Sequence, residues 1–264
     1  MPITTLDGWV ASAKQYISIA KTAARTSVAA AWFSLIDLAG NPGPGVLAGA
    51  NTANGVVPTS ATAGCPVINA YGAAATGYLS QVDFCCSVAC RLKLFDMLFK
   101  AGAYAFNAAV TLATQPSYSA RVPGGTDFGD TPIWIEFATA STGVQSVAVT
   151  YTNQSGVAAK TTGVVVTVAG TVGRLVQLPL AAGDTGVQKI ESVTGSVATV
   201  GTFNVLVLRP LWTGRVKVAN DGDVHGLDKT AMPVVFPNSA IILAMAPDST
   251  TTGVPELEFV ITNA

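Results

Sequence analysis

Val147-Ala148-Val149-Thr150-Tyr151 places its apolar residues at every second position, and Asn153-Gln154-Ser155-Gly156 follows it directly. A second apolar run, Ala158 to Val168, comes after. Alternation with period two puts Val147, Val149 and Tyr151 on one face of a strand. Asn, Ser and Gly are the residues that close a tight connection, so the stretch predicts a β-hairpin with a four-residue turn. Gly183-Asp184-Thr185-Gly186 predicts a second such turn, between Arg174 to Leu180 and Gln188 to Val193.

The same pattern extends in both directions. Short apolar or alternating runs recur at Leu79 to Phe84, Val88 to Phe99, Ile133 to Phe137, Phe203 to Leu208, Arg215 to Val218, Ala240 to Met245 and Leu257 to Thr262. Turn residues separate most of them, and no helical periodicity intervenes. The chain from Leu79 onward therefore reads as a mainly β domain, a β-sandwich or barrel with strands enough for two packed sheets. No fixed-period repeat is present, which excludes solenoids and propellers.

Upstream, Leu6, Trp9, Val10, Ala13, Ile17, Ala20 and Ala24 fall at three- and four-residue spacing, and predict an N-terminal helix capped by Thr5 or Asp7 and ending near Arg25. Trp32 to Asp37 alternates as a strand would. Leu38 to Val82 then contains no Lys, Arg, Asp or Glu, and its glycines and prolines, from Asn41-Pro42-Gly43-Pro44-Gly45 to Gly77, predict a long, extended Gly/Ala/Pro-rich arm. So long a loop is either ordered by a partner or packed on its own domain. The division that follows is residues 1–78, helix and assembly arm, and residues 79–264, the β domain, with one continuous domain as the alternative.

Charge is scarce throughout: 11% of residues are charged, against the ~25% usual in soluble domains. Fourteen basic and 15 acidic residues give a net charge of −1, too little field to gather a phosphate backbone, so nucleic acid is not an expected partner. The chain is half apolar, yet no run reaches the ~20 residues of a membrane span. Met1-Pro2-Ile3-Thr4-Thr5 has neither the basic flank nor the apolar core of a secretory signal. Cys65, Cys85, Cys86 and Cys90 match no zinc spacing, and Cys85 and Cys86 on a strand would face opposite ways. They read as small buried hydrophobes in a reducing compartment.

Candidate chemistry is sparse. His225 is the one histidine, in Asn220-Asp221-Gly222-Asp223-Val224-His225-Gly226-Leu227-Asp228, read as a polar loop. No Gly-x-Ser-x-Gly elbow accompanies it and no phosphate-cradling glycine loop occurs, so the expectation is no enzyme and no cofactor. Asp221, Asp223 and Asp228 are the residues that would hold calcium, although aspartates in such turns also bond their own backbone, and no metal is expected. Gly124-Gly125-Thr126-Asp127-Phe128-Gly129-Asp130 is a second acidic turn, explained by turn chemistry alone.

Three stretches, Val149 to Ala158, Leu178 to Val187 and Asn204 to Leu211, with Leu94-Phe95-Asp96-Met97-Leu98-Phe99 upstream, resemble virion structural proteins of tailed bacteriophages. The likeness runs from Trp9 to Leu211, lies in strands and turns, and carries no site residue over. It implies a non-enzymatic head protein that decorates or cements the capsid, made in the host bacterial cytoplasm and located on the capsid surface. The alternative it leaves is a minor tail, collar or receptor- (carbohydrate-) binding virion protein. A shell protein itself would call for a long charged spine helix, which is absent. The partners expected are further copies of the chain, as a cyclic homo-oligomer with a trimer favoured, and the major capsid protein or other virion proteins. Short neutral side chains lose little entropy on burial, so the N-terminal third supplies the interface candidates: Trp9, Ile17, Asn41, Pro42, Pro44, Val56, Val57 and Pro58.

Overall fold

The computed structural model describes residues 5–73, 75–167, 170–196 and 200–263; Met1 to Thr4 and the Val168 end of the second hairpin run lie outside them. Alternating apolar residues build three sheets. Six strands close into a barrel in the order β11 (Arg174–Gln177), β2 (Trp32–Ser34), β16 (Ile241–Pro247), β5 (Cys90–Ala105), β13 (Thr202–Val216) and β7 (Ile133–Phe137). A second sheet runs β14 (Asp221–His225), β4 (Gly77–Cys86), β17 (Pro255–Asn263), β1 (Ala13–Lys21) and β3 (Gly40–Asn41), with β15 (Val234–Val235) also on β4. The third is β10 (Val165–Thr167), β8 (Gln145–Asn153), β12 (Val187–Gly195) and β6 (Ala109–Thr111), with β9 (Lys160–Thr161) also on β8.

The barrel wall is shared by three cores. Its interior holds Phe95, Met97, Trp134, Leu175, Leu206 and Ile242, contributed from around the ring. One stretch of the outer wall packs Leu92, Leu94 and Val216 against Val82, Phe84 and Leu257 of the second sheet. Another packs Ile135, Phe137 and Val205 against Val149, Tyr151 and Ile190 of the third. β5 and β13 are long enough to serve all three, and register shifts along their ladder turn the apolar side from one core to the next. Pro210 sits at one of these shifts, where the missing N–H breaks no regular ladder. The runs at Phe203 and Arg215 are thus one strand rather than two.

The first hairpin forms, β8 pairing with both β9 and β10, but six residues rather than four connect Asn153 to Lys160. The second does not form. β11 joins the barrel while β12 joins the third sheet, so the Asp184 turn crosses between sheets. Asp184 is held there by the Tyr151 hydroxyl at 2.8 Å and the Asn153 amide at 2.7 Å, both from β8.

The N-terminal helix is short. α1 (Leu6–Ala11) begins at Thr5, whose hydroxyl accepts from Gly8 N, and stops at Ser12, with no buried residue. From Ala13 the chain is strand, because Ile17 and Ile19 alternate with Ser18 and Ala20 and bury against Phe259 and Leu257 of β17. Three- and four-residue spacing of alanines imitates a helix, but β-branched residues beside a waiting sheet edge prefer the strand. β1 lies within residues 1–78 and pairs along its length with the C-terminal strand, and β4 spans the division expected after residue 78.

The uncharged segment after Leu38 is irregular and runs across the barrel. Val56 exchanges both backbone hydrogen bonds with Lys100 at 2.8 and 3.0 Å. Two glycines allow this approach: a Cβ on Gly49 would stand 2.9 Å from the backbone of Gly102, and one on Gly55 would strike the Phe99 ring.

Candidate functional site

Among the described residues six charged side chains are buried, and five of them, Asp96, Lys100, Arg121, Glu136 and Arg209, fasten the Gly-rich segment and nearby loops to the barrel. Asp96, on β5, is fully enclosed. Its Oδ1 accepts from Arg121 Nη2 and from Ala240 N at 3.1 Å; its Oδ2 accepts from Ser239 Oγ at 2.7 Å and Arg209 Nη2 at 3.3 Å. Arg121 also donates to the carbonyls of Pro58 and of Met97, the latter at 2.9 Å, and Arg209 to Val234 O at 2.9 Å. One carboxylate therefore faces two guanidiniums, whose Nη groups also reach backbone oxygens, while Nε of Arg121 and of Arg209 is buried without a hydrogen-bond partner among the described residues. Burial lowers the pKa of Arg209, with the Asp96 charge opposing the shift.

A second clamp lies further along β5. Asn204 Nδ2 donates to Leu47 O at 2.6 Å and to Glu136 Oε2 at 2.8 Å, while its Oδ1 accepts from Gly49 N at 2.8 Å. Lys100 Nζ stands 3.5 Å from Glu136 Oε2 and donates to Val46 O at 3.0 Å. Tyr104 OH reaches Thr52 O at 2.8 Å. Residues 46 to 58 are thus held through their own carbonyls and amides, which suits a segment lacking charged side chains. A lone charge inside an apolar run, such as Asp96 in Leu94 to Phe99 or Arg209 after Leu208, is the sequence signal for these clamps. Sequence reasoning did not pair them.

His225 lies on edge strand β14, not in a loop. Its Nδ1 accepts from Trp212 Nε1 at 3.0 Å, its Nε2 is 3.5 Å from Asp223 Oδ2, and its ring meets Phe84 and Trp212 edge-on. Asp223 also takes Lys229 at 3.4 Å, and its own strand's Val224 N, the largest influence, holds its carboxyl below the usual range. Asp221 accepts from Gly222 N, and Asp228 lies on α2 (Leu227–Thr230). Among the described residues no three His, Cys, Asp or Glu side chains come together as a metal site would require.

At one end of the barrel a cavity of about 360 Å³ is lined by Lys93, Asp130, Trp134, Gln177 and Asp184. Lys93 is half-buried over the rings of Trp32 and Phe95, at 4.9 and 5.8 Å, and desolvation lowers its pKa. Asp127 only caps its turn, accepting from Gly129 N at 3.0 Å.

The interface candidates separate into two groups. Ile17 faces the core, Pro58 is buried beneath the Arg121 clamp, and Val57 packs on the core between barrel and third sheet. Their own chain already covers these apolar side chains, so they are not presented to a partner. Asn41, Pro44 and Val56 are exposed, Pro42 is half-buried, and Trp9 lies half-buried under Lys14 Nζ at 4.7 Å.

All four cysteines are free, and Cys85 alone among them is exposed. Burial pushes the Cys65 thiol up to about 12, and burial and then the nearby Glu256 charge raise that of Cys85. Titration of the folded chain with an aromatic disulfide should therefore give one reacting thiol, slowly and faster as pH rises, and four after denaturation. More than one fast thiol in the native state would contradict the packing around Cys65, Cys86 and Cys90.

No protein-family model and no curated protein sequence matches the chain. Among solved structures it is similar to VP2 of infectious bursal disease virus. To a VP2 subviral particle it has 9% identity and a TM-score of 0.19, covering 96% of this chain and 80% of that one. To T=1 particles derived from the same virus it has 8% identity and a TM-score of 0.21, covering 95% and 77%. Likeness at this level carries no argument about fold or function. Among the described residues no helix is long and apolar enough to cross a membrane.

Proposed function

We propose that the chain is a non-enzymatic virion structural protein that decorates or cements a bacteriophage capsid, binding copies of itself and the shell. The observation that carries this reading is where the charges go. Lys21, Asp96, Lys100, Arg121, Glu136 and Arg209 are spent inside the chain, so an exterior already short of charge keeps fewer charges than the composition alone would leave it. In their place it exposes Leu6, Val10, Tyr16, Val46, Val67 and Val218. An apolar, short-chained exterior on a rigid barrel costs little entropy to cover, and repeated lattice contacts need that property. The resemblance of Val149 to Ala158, Leu178 to Val187 and Asn204 to Leu211 to tailed-phage virion proteins supports the same class.

The test is co-sedimentation with heads assembled without the chain. Binding at a fixed ratio to the shell protein, with greater resistance of the heads to heat, is the expected result; a monomer that leaves the heads unchanged would overturn the reading. The cavity at the barrel end favours one second reading, a receptor- or carbohydrate-binding tail protein. Lys93, Asp130, Gln177 and Asp184 supply donors and acceptors for hydroxyl groups beside Trp134. Labelling at the tail together with a glycan-array signal lost in Gln177→Ala would select it over the first.

A further inference from the structure

Two sheets of this charge-poor chain set like charges directly opposite each other. On β4 and β17 Asp83 pairs in register with Glu258, and Glu256 shares their face two residues along. On β5 and β13 Arg91 pairs in register with Arg215, with Lys217 two residues further on. All six side chains are exposed, and among the described residues none of them belongs to an ion pair. Like charges in directly opposed positions destabilise a sheet, so folding of the single chain does not account for either pair.

The two pairs point in opposite directions. Val82, Phe84 and Leu257, which alternate with Asp83, Glu256 and Glu258, meet Leu92, Leu94 and Val216, which alternate with Arg91 and Arg215, in one shared core. The acidic residues therefore lie on the outer face of the second sheet, and the basic ones on the opposite side of the packing, on the inner face of β5 and β13 where these strands run out at the end of the barrel. The acidic face also carries Ser18 opposite Glu258, Val260 opposite Tyr16, and Tyr16 itself, 79% exposed. The basic face opens on a groove lined by Arg91, Thr213, Arg215, Lys217, Asp223 and His225, in which the Asp223 carboxylate is already engaged by His225 and Lys229.

We propose that copies of this chain associate head to tail, the Tyr16, Asp83, Glu256 and Glu258 face of one docking on the Arg91, Arg215 and Lys217 face of the next. Charge complementarity selects a second copy as the occupant, because both halves of the match are on the one chain and each relieves the repulsion built into the other. The contact is heterologous: every copy uses each face once, giving a ring if the rotation closes and a stack if it does not. Tyr16 supplies the aromatic anchor beside the charges. The inference rests on these positions and not on the virion reading, and its test uses the purified chain alone.

Sedimentation velocity at about 0.1 M salt should show assemblies that fall to monomer at about 1 M, where the screening length shrinks to about 3 Å. The double variants Asp83→Lys with Glu258→Lys, and Arg91→Glu with Arg215→Glu, should each sediment as monomers at the lower salt while keeping the wild-type melting temperature. Mixed in equal amounts they should associate again, since each retains the native partner of the other's native face. Should either reversal melt early, the neutral pairs Asp83→Asn with Glu258→Gln and Arg91→Gln with Arg215→Gln take its place, with at least a tenfold loss of association expected. A wild-type chain that is monomeric at every salt, assembly unchanged by both reversals, or folded monomeric variants that do not recover on mixing would each overturn the proposal.

Discussion

Replacing Asp96 with Ala should lower the melting temperature of the chain by about 10 °C or more. The carboxylate is fully buried and is the shared partner of Arg121 and Arg209, with Ser239 Oγ and Ala240 N as its further donors. Removing it leaves two enclosed guanidiniums facing each other with no counter-charge. Breaking a buried pair by deleting one partner costs about 3 to 5 kcal/mol, and a chain of this size loses about 2 to 4 °C per kcal/mol. Asp96→Asn keeps the hydrogen-bonding shape without the charge and should fall between the two. Calorimetry on the three proteins checks this. Equal melting temperatures for wild type and Asp96→Ala would mean that the guanidiniums find other partners and that the clamp does not hold the loops.

Asn204→Ala should release the Gly-rich segment without dissolving the barrel. The amide fastens Leu47 O, Gly49 N and Glu136 at once, and its loss strands a buried carbonyl and weakens the surroundings of a buried carboxylate. Each buried polar group left without a partner costs about 1 to 3 kcal/mol. Hydrogen exchange should accelerate at Gly49 and Val56 by at least tenfold, while Leu206 and Ile135 on the neighbouring strands remain protected. Limited proteolysis should then cut between Val46 and Pro58. Uniform acceleration across barrel and segment would show instead that the segment is part of a single cooperative unit.

What could be read in advance follows the range of the interactions. Val147 to Tyr151 and Leu257 to Thr262 declare themselves because alternation is local, and both are strands. The Asp184 turn carries ordinary hairpin residues, yet its flanking strands join different sheets, a choice made by the barrel's need to close. Ala13 to Lys21 read as helix because small residues fit either period, and the edge offered by β17 decided the matter. The clamps were the least visible part. Nothing near Asp96 in the sequence names Arg121 or Ser239, which lie 25 and 143 residues away. Only the isolation of each charge in an apolar run hints that a partner exists. Likewise, the uncharged segment announces its lack of charge but not the barrel residues that satisfy its backbone.

These features converge on one physical account. A chain with few charges places several of them inside, where they tie a Gly-rich strap to a closed barrel, and leaves an exterior of short apolar side chains marked by one acidic and one basic face. On the proposed function, neighbours cover this exterior. A density map of intact particles produced by cells that express the chain tests this most directly. The account predicts a barrel with two flanking sheets, repeated at symmetry-related positions on the capsid surface, with the Val46 and Tyr16 sides in contact with protein. Particles that contain no copy of the chain would contradict it.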